Sequence, residues 1–302
     1  LKAAEETPAG AVHIAQAFMD AGLPAGVLNL IFGIPSEISN YLIPQKSVKL
    51  IAFTGSTKIG RHLTTLASEH MTPVLMELGG HAPVIVCEDT DVNQAAINSA
   101  ERKMRNAGQV CTSPTRFFVH ENIFDDYVDA FVKRAAKTLV GDGFADEVEM
   151  GPVANERRVP ELLKLVDDAR SKGAKIVTGG NRQNKRGYFF QPTIITEAPD
   201  NAQIMQVEPF GPVAIINPVK SLDEAIRKAN SVPYGLAGYA FTNRADYINQ
   251  MIDEVEVGNL SINTLEASLP ETPFGGVKSS GYGREGGTEG LHHYMTIKNV
   301  WH

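Results

Sequence analysis

Apolar positions along the chain change repeatedly between helical spacing and short continuous runs. Val12, Ala15, Phe18 and Met19 recur at helical intervals; Thr7-Pro8 offers a capping side chain and a proline for the first turn, and Gly22 with Pro24 ends the helix. "VLNLIF" (27–32) predicts a short buried strand, a short helix follows around Ile38 to Leu42 and stops at Pro44, and "VKLIAF" (48–53) predicts the next strand. Thr54-Gly55-Ser56 then turns tightly into a helix with the stripe Ile59, Leu63 and Leu66. The run 74–78, broken by Glu77, and Pro83 to Cys87 predict two further strands. Asp89 and Asp91 open a helix that runs to about Arg105, and "NAGQVCTSP" turns into another strand. From residue 123 helices and strands keep alternating, up to "RADYINQMIDEVEVGNLSIN". That order predicts an α/β fold of parallel βαβ units with covered faces.

The length of 302 residues allows one large domain or two ordinary ones. A formal net charge of -7 argues against nucleic acid or an anionic membrane as partner, and no apolar run approaches the roughly 18 residues of a membrane span. The two cysteines, Cys87 and Cys111, lie outside any C-x-x-C or Cys/His cluster, which excludes a disulfide framework, disfavours a zinc site and makes a reducing cytoplasm the natural setting. His292-His293 cannot converge on one ion from adjacent helical positions. No metal is expected. The chain opens on "LKAAEETPAG", without methionine or signal-peptide character, and reads as the interior of a longer protein.

Three places carry candidate chemistry. The Gly55-Ser56 turn feeds a helix N-terminus, whose unpaired N–H groups and positive dipole end suit a phosphate, although many such turns only cap a helix. Glu77, between Met76 and Leu78, is either a solvent-facing edge residue or a buried general base whose pKa burial raises. Cys111 lies in a glycine-containing turn, where it is either a nucleophile assisted by turn amides or a buried free thiol; Cys87, ending "PVIVC", reads as core. Gly281-Tyr-Gly283-Arg-Glu-Gly286 fits G-x-G-x-x-G, but too little chain follows for the βαβ unit of about 30 residues that a dinucleotide fingerprint needs.

The blocks "LKAAEETP", "FTGSTKIG", "MELGGHAP", "NAGQVCTSPTRFFVH", "VEPFGPV", "PYGLAGYAF" and "TPFGGVKSSGYGREGG" occur in the order and spacing of the NAD(P)-dependent aldehyde dehydrogenases, which the chain resembles from end to end. The resemblance implies the later part of a Rossmann-type cofactor domain (1–78), a catalytic domain (79–279) and a C-terminal return segment with an oligomerisation strand (280–302). It assigns Cys111 as nucleophile and Glu77 as the base for the hydrolytic water. Lys2 and Glu5 match residues at the adenine ribose, Ser56 with Gly55 the pyrophosphate turn, Glu208 and Phe210 the nicotinamide side, and Phe274 a wall of the aldehyde tunnel. Glu285 matches a residue near the catalytic water, and His81 departs from the family's usual Lys.

Glu5 favours NAD, because a carboxylate accepts bonds from both ribose hydroxyls and repels a 2′-phosphate; a nearby cation would admit NADP. Arg105 and Ser268 match the positions that grip the distal carboxylate in succinate-semialdehyde dehydrogenases, although Arg105 is also placed to cap its helix. The resemblance therefore implies oxidation of a small aldehyde, an acid semialdehyde above all, with another aliphatic or aromatic aldehyde, or a non-catalytic binding role, as alternatives. Ser113 stands where some relatives carry a second cysteine. The alternating tail ending at Trp301 points to a homodimer or homotetramer.

Overall fold

A computed structural model describes residues 1–183 and 186–302, and their contacts divide into two units, Leu1–Ile51 with Arg61–Val74 and Ala52–Gly60 with Leu75–His302. In the first, α1 (Pro8–Asp20) and α2 (Pro35–Leu42) both start on a proline, whose fixed φ suits a first turn. Thr7, expected to cap α1, makes no side-chain cap bond, and none of the residues of α1 is buried. The expected strand at 27–32 does not form; a single bridge joins Ile31 to Lys2. The run lies between Gly26 and Gly33, both with positive φ, and its pairing is confined to the ends of two segments: the Ile31 N–H donates to the Leu1 carbonyl at 2.9 Å and the Ile31 carbonyl accepts from the Ala3 N–H at 3.3 Å.

β1 (Ile51–Thr54) starts three residues later than the apolar pattern suggests, and α3 (Thr57–Ala67) follows it. The buried face of α3 is Gly60, Leu63 and Ala67, while Ile59 is exposed. Gly60 sets that face, because a Cβ there would come within 2.4 Å of the Leu78 side chain.

The second unit continues through β2 (Val74–Glu77), β3 (Ala82–Val86), α4 (Val92–Met104), β4 (Pro114–His120), α5 (Phe124–Ala135), α6 (Arg158–Ser171), β5 (Lys175–Thr178) and β6 (Thr193–Thr196). Then come α7 (Gln203–Gln206), β7 (Val213–Val219), α8 (Leu222–Ala229), β8 (Tyr234–Gly235), β9 (Ala237–Phe241), α9 (Ala245–Glu254) and β10 (Asn259–Ile262). β11 (Val277–Lys278), β12 (Gly281–Tyr282) and α10 (Glu289–His292) complete it. Seven strands form a sheet in the order β10-β9-β3-β4-β7-β6-β5, parallel except for β5. Every residue of β3, β6 and β9 is buried, as a sheet covered on both faces requires.

Asp91 caps α4 by accepting from the Gln94 N–H at 3.0 Å, as its position predicts. Arg116 on β4, only 1% exposed, donates to the carbonyls of His81, Lys228 and Ala229 at 2.9–3.0 Å. Those bonds satisfy a buried guanidinium and pin the end of α8 to the segment entering β3.

β12 pairs antiparallel with β2, so the G-x-G-x-x-G stretch is a return strand whose Gly281, Gly283 and Gly286 all have positive φ. The tail expected as a strand is irregular and exposed at Ile297 and Trp301. Among the described residues of this chain, its apolar alternation has no neighbouring strand to pair with. Among the described residues no helix is long and apolar enough to cross a membrane, and no His/Cys/Asp/Glu group is arranged to hold a metal.

Candidate active site

Three loops that enter adjacent parallel strands bring the candidate residues together. Gly79-Gly80 leads into β3, Arg105–Ser113 into β4, and Glu208–Gly211 into β7. The cluster therefore sits at the amino ends of the strands, opposite to the carboxyl-end crevice usual in open α/β sheets.

The two glycines make the close approach possible. A Cβ on Gly80 would lie 2.5 Å from the Cys111 carbonyl oxygen, and one on Gly79 would lie 2.7 Å from Glu208 Oε2. The Gly80 backbone amide is close enough to the Glu208 carboxylate to favour its charged form. Behind them Ser280, fully buried, donates to the Gly79 carbonyl at 2.7 Å and accepts from the Gly235 N–H at 2.9 Å. The return strand thus holds the glycine loop in place.

Burial dominates the titration of the cluster. Glu77, 2% exposed, has no hydrogen-bond partner on either carboxylate oxygen, and its pKa is raised to about 8 by burial and then by Glu285, against the pull of Arg284. That answers the question left by the sequence: Glu77 is an interior carboxylate, with Gly275 bare beside its Oε1. Burial, then Glu208 and Glu77, push the Cys111 thiol up to about 11. The Cys111 and Thr112 amides oppose the rise, as a turn cysteine predicts, but they are outweighed. Burial likewise raises Glu208 to about 7, with Gly80, Arg158 and Lys103 acting the other way.

Sequence reading missed two basic residues here. Lys103, on the last turn of α4 and 1% exposed, donates to Ser113 Oγ at 3.2 Å; burial lowers its pKa to about 7 while Glu208 pulls it back up. Arg158 donates to the Pro209 and Phe210 carbonyls at 2.5 and 3.1 Å, and its guanidinium lies 5.7 Å from the centre of the Phe210 ring. Phe210 has φ 43, a left-handed conformation that a bulky residue holds only when its surroundings impose it. The signal for Lys103 was a charge inside the helical pattern; Arg158, far from the "EPFG" block, left none.

The remaining assignments are spread more widely. Gly55 donates its N–H to the Glu77 carbonyl at 3.0 Å, and exposed Ser56 accepts from the Ile59 N–H at 3.4 Å at the start of α3. Phe274, half-buried, exchanges two 2.7 Å backbone bonds with Glu285. Arg105 and Ser268 are both exposed, and among the described residues no hydrogen bond or ion pair joins them. Arg105 ends α4, donating its N–H to the Glu101 carbonyl, and the chain turns through left-handed Asn106, Ala107 and Gly108 before Cys111. In the first unit Lys2 and Glu5 form an ion pair at 2.8 Å.

The architecture is an α/β fold built on a mostly parallel sheet. The chain belongs to the aldehyde dehydrogenase family, whose profile matches residues 1–300 and whose members are NAD(P)-dependent oxidoreductases. A 4-(hydroxymethyl)benzenesulfonate dehydrogenase of Comamonas testosteroni is 46% identical over 298 residues, which cover 99% of this chain and 62% of its own. The mitochondrial succinate-semialdehyde dehydrogenase of Arabidopsis thaliana is 40% identical over 300 residues, covering 99% and 57%. The crystal structure of an NADP-dependent enzyme of Escherichia coli superposes with a TM-score of 0.97 at 37% identity, covering 99% of this chain and 62% of that one. The chain thus spans about three fifths of the length of these relatives.

Proposed function

We propose that this chain, as part of a full-length protein, oxidises an aldehyde to the acid with NAD, by way of a covalent Cys111 thioester. The observation that carries the proposal is the pairing of a half-buried thiol with Glu77, a buried carboxylate that has no hydrogen-bond partner and whose pKa is raised to about 8. Such a carboxylate is strong enough to take a proton from water near neutral pH.

The Cys111 sulfur, once deprotonated, adds to the aldehyde carbon, and the Cys111 N–H faces the developing oxyanion. Hydride leaves that carbon, giving a thioester. Glu77 then removes a proton from water as the water oxygen attacks the thioester carbon; the C–S bond breaks and the acid departs. The cofactor supplies the hydride acceptor. Residues of this chain suit it: Glu208 lies beside Gly79, Glu5 offers an acceptor for ribose hydroxyls, and Gly55-Ser56 heads a helix. Lys2, paired with Glu5, is the cation through which NADP would be admitted.

Arg105 and Ser268 support an acid semialdehyde such as succinate semialdehyde, since a guanidinium binds a carboxylate in bidentate fashion. The aryl sulfonate in the name of the Comamonas relative is also an anion, which makes an anionic aromatic aldehyde the second reading. The domain limits 1–78, 79–279 and 280–302, a homodimer or homotetramer built through the C-terminal segment, and a cytoplasmic setting belong to the same proposal. The test is NADH formation from succinate semialdehyde by the full-length protein. Turnover that survives Cys111→Ser would refute the mechanism.

A further inference from the structure

Arg102 and Glu266 form a pair that none of the roles above uses. Arg102 lies on the last turn of α4, one turn before Arg105, with its side chain only 16% exposed. Its positive charge lies near the hydroxyl of Tyr239, which donates at 2.6 Å to the carbonyl of Thr112, the residue after the nucleophile. Arg102 therefore lies beside the catalytic loop.

Its partner is held differently. Glu266 belongs to the loop that carries Ser268; Leu265 is buried, the Glu266 carbonyl accepts from Ser261 Oγ at 2.7 Å, and the Glu266 N–H donates to Thr264 Oγ1 at 3.3 Å. The backbone is anchored, while the side chain is 71% exposed and brings Oε1 only to 3.5 Å from Arg102 Nη1. At that distance the contact is an ion pair without a good hydrogen bond. A guanidinium prefers two parallel bonds to a carboxylate, so Glu266 leaves this fork poorly satisfied.

We infer that Arg102 is a second anion-recognising residue of the aldehyde site, and that Glu266 is its internal stand-in, displaced when the anionic end of a substrate arrives. The inference rests on the acid-semialdehyde reading above. Arg102 and Arg105, a turn apart, then share the recognition of one carboxylate or sulfonate. Glu266 sets the discrimination: a neutral aldehyde gains nothing by displacing it, while an anionic one replaces a long contact with a short one.

The test uses the full-length protein with succinate semialdehyde and butanal as probes, together with calorimetric binding of succinate, which needs no turnover. Glu266→Gln is expected to lower KM for succinate semialdehyde relative to butanal, and to tighten succinate binding, by about two- to fivefold, the range of an exposed ion pair. Arg102→Gln is expected to shift both in the opposite direction by about tenfold, the scale of a hydrogen bond to a charged group, with partial recovery in Arg102→Lys. Because Glu266 is exposed, its variant reports even if Arg102→Gln fails to fold. Unchanged succinate binding and an unchanged KM ratio in Glu266→Gln overturn the inference. Arg105→Gln separates it from the substrate reading. If that variant alone abolishes the preference for the charged aldehyde, the Arg105 role stands without the Arg102 pair; if only the Arg102 and Glu266 variants move it, the pair stands without Arg105.

Discussion

Gly281 lies directly opposite Glu77 in the antiparallel pairing of β12 and β2, and a Cβ on it would come within 1.9 Å of the Met76 carbonyl oxygen. With φ +117 it also occupies a region that side chains rarely enter. The strand that passes the proposed base is thus a glycine by necessity. Gly281→Ala should destabilise the chain by about 2–4 kcal/mol, read from the denaturant midpoint, because the clash is with backbone and the strain has no relief. An unchanged midpoint would show that β12 does not pack against β2 in this way.

Glu77→Gln should separate stability from catalysis. The folded-state pKa is raised from 4.5 to about 8, so folding favours the protonated form. The stability contributed by that form is complete below about pH 4.5 and is lost as pH rises through about 8. The variant, which cannot ionise, should exceed the parent by about 1–3 kcal/mol at pH 9 and match it at pH 4.5. Release of the acid in the full-length variant should fall by 10² or more, the scale of a lost general base. Thermal melts at the two pH values and single-turnover kinetics check the two halves.

Cys111 should react slowly for a nucleophile. With its thiol pushed up to about 11, iodoacetamide labelling of the folded chain should rise about tenfold per pH unit from 7 towards 11. Cys87, 5% exposed and raised to about 12, should stay unlabelled until the chain unfolds. Peptide mapping after labelling distinguishes the two sites. A pH-independent rate at Cys111 would mean that the thiolate is already formed at neutrality.

Arg158→Ala should loosen the Pro209-Phe210 turn. Two carbonyl bonds and the ring contact are lost, and Phe210 is free to leave its left-handed conformation. In the full-length protein KM for NAD should rise about tenfold with a smaller change in kcat, the sign of weakened binding rather than altered chemistry. A fall in kcat alone would place Arg158 in the chemical step instead.

The second unit was largely legible from the sequence, because its helices and strands bury their apolar sides and periodicity reports burial. Asp91 and the strands through Phe118 and Tyr239 follow that rule. The first unit was less so: "VLNLIF" and the apolar face of α1 have a strand's and a core helix's composition, yet in this chain the run forms a single bridge at Ile31 and the face stays exposed. Pattern alone cannot say whether a covering element is present. At the site, Glu77 and Cys111 could be named but their ionisation could not, since it depends on what surrounds them from β7, β12 and the loop after β2. Arg158 acts on Pro209 and Phe210, far along the chain, and carries no local signature, while Lys103 shows only as a charge inside the helical pattern.

Placing the reactive groups on segments that enter β3, β4 and β7 makes the sheet a ruler for the chemistry. Each of these strands is paired on both sides, so its register is fixed twice over. A slip of one residue in any of them would move its loop by about 3.3 Å, more than the length of a hydrogen bond, and turn every side chain of that strand to the other face. The relative positions of Gly80, Cys111 and Glu208 are therefore set by backbone pairing in the core, ahead of any contact the three make with one another.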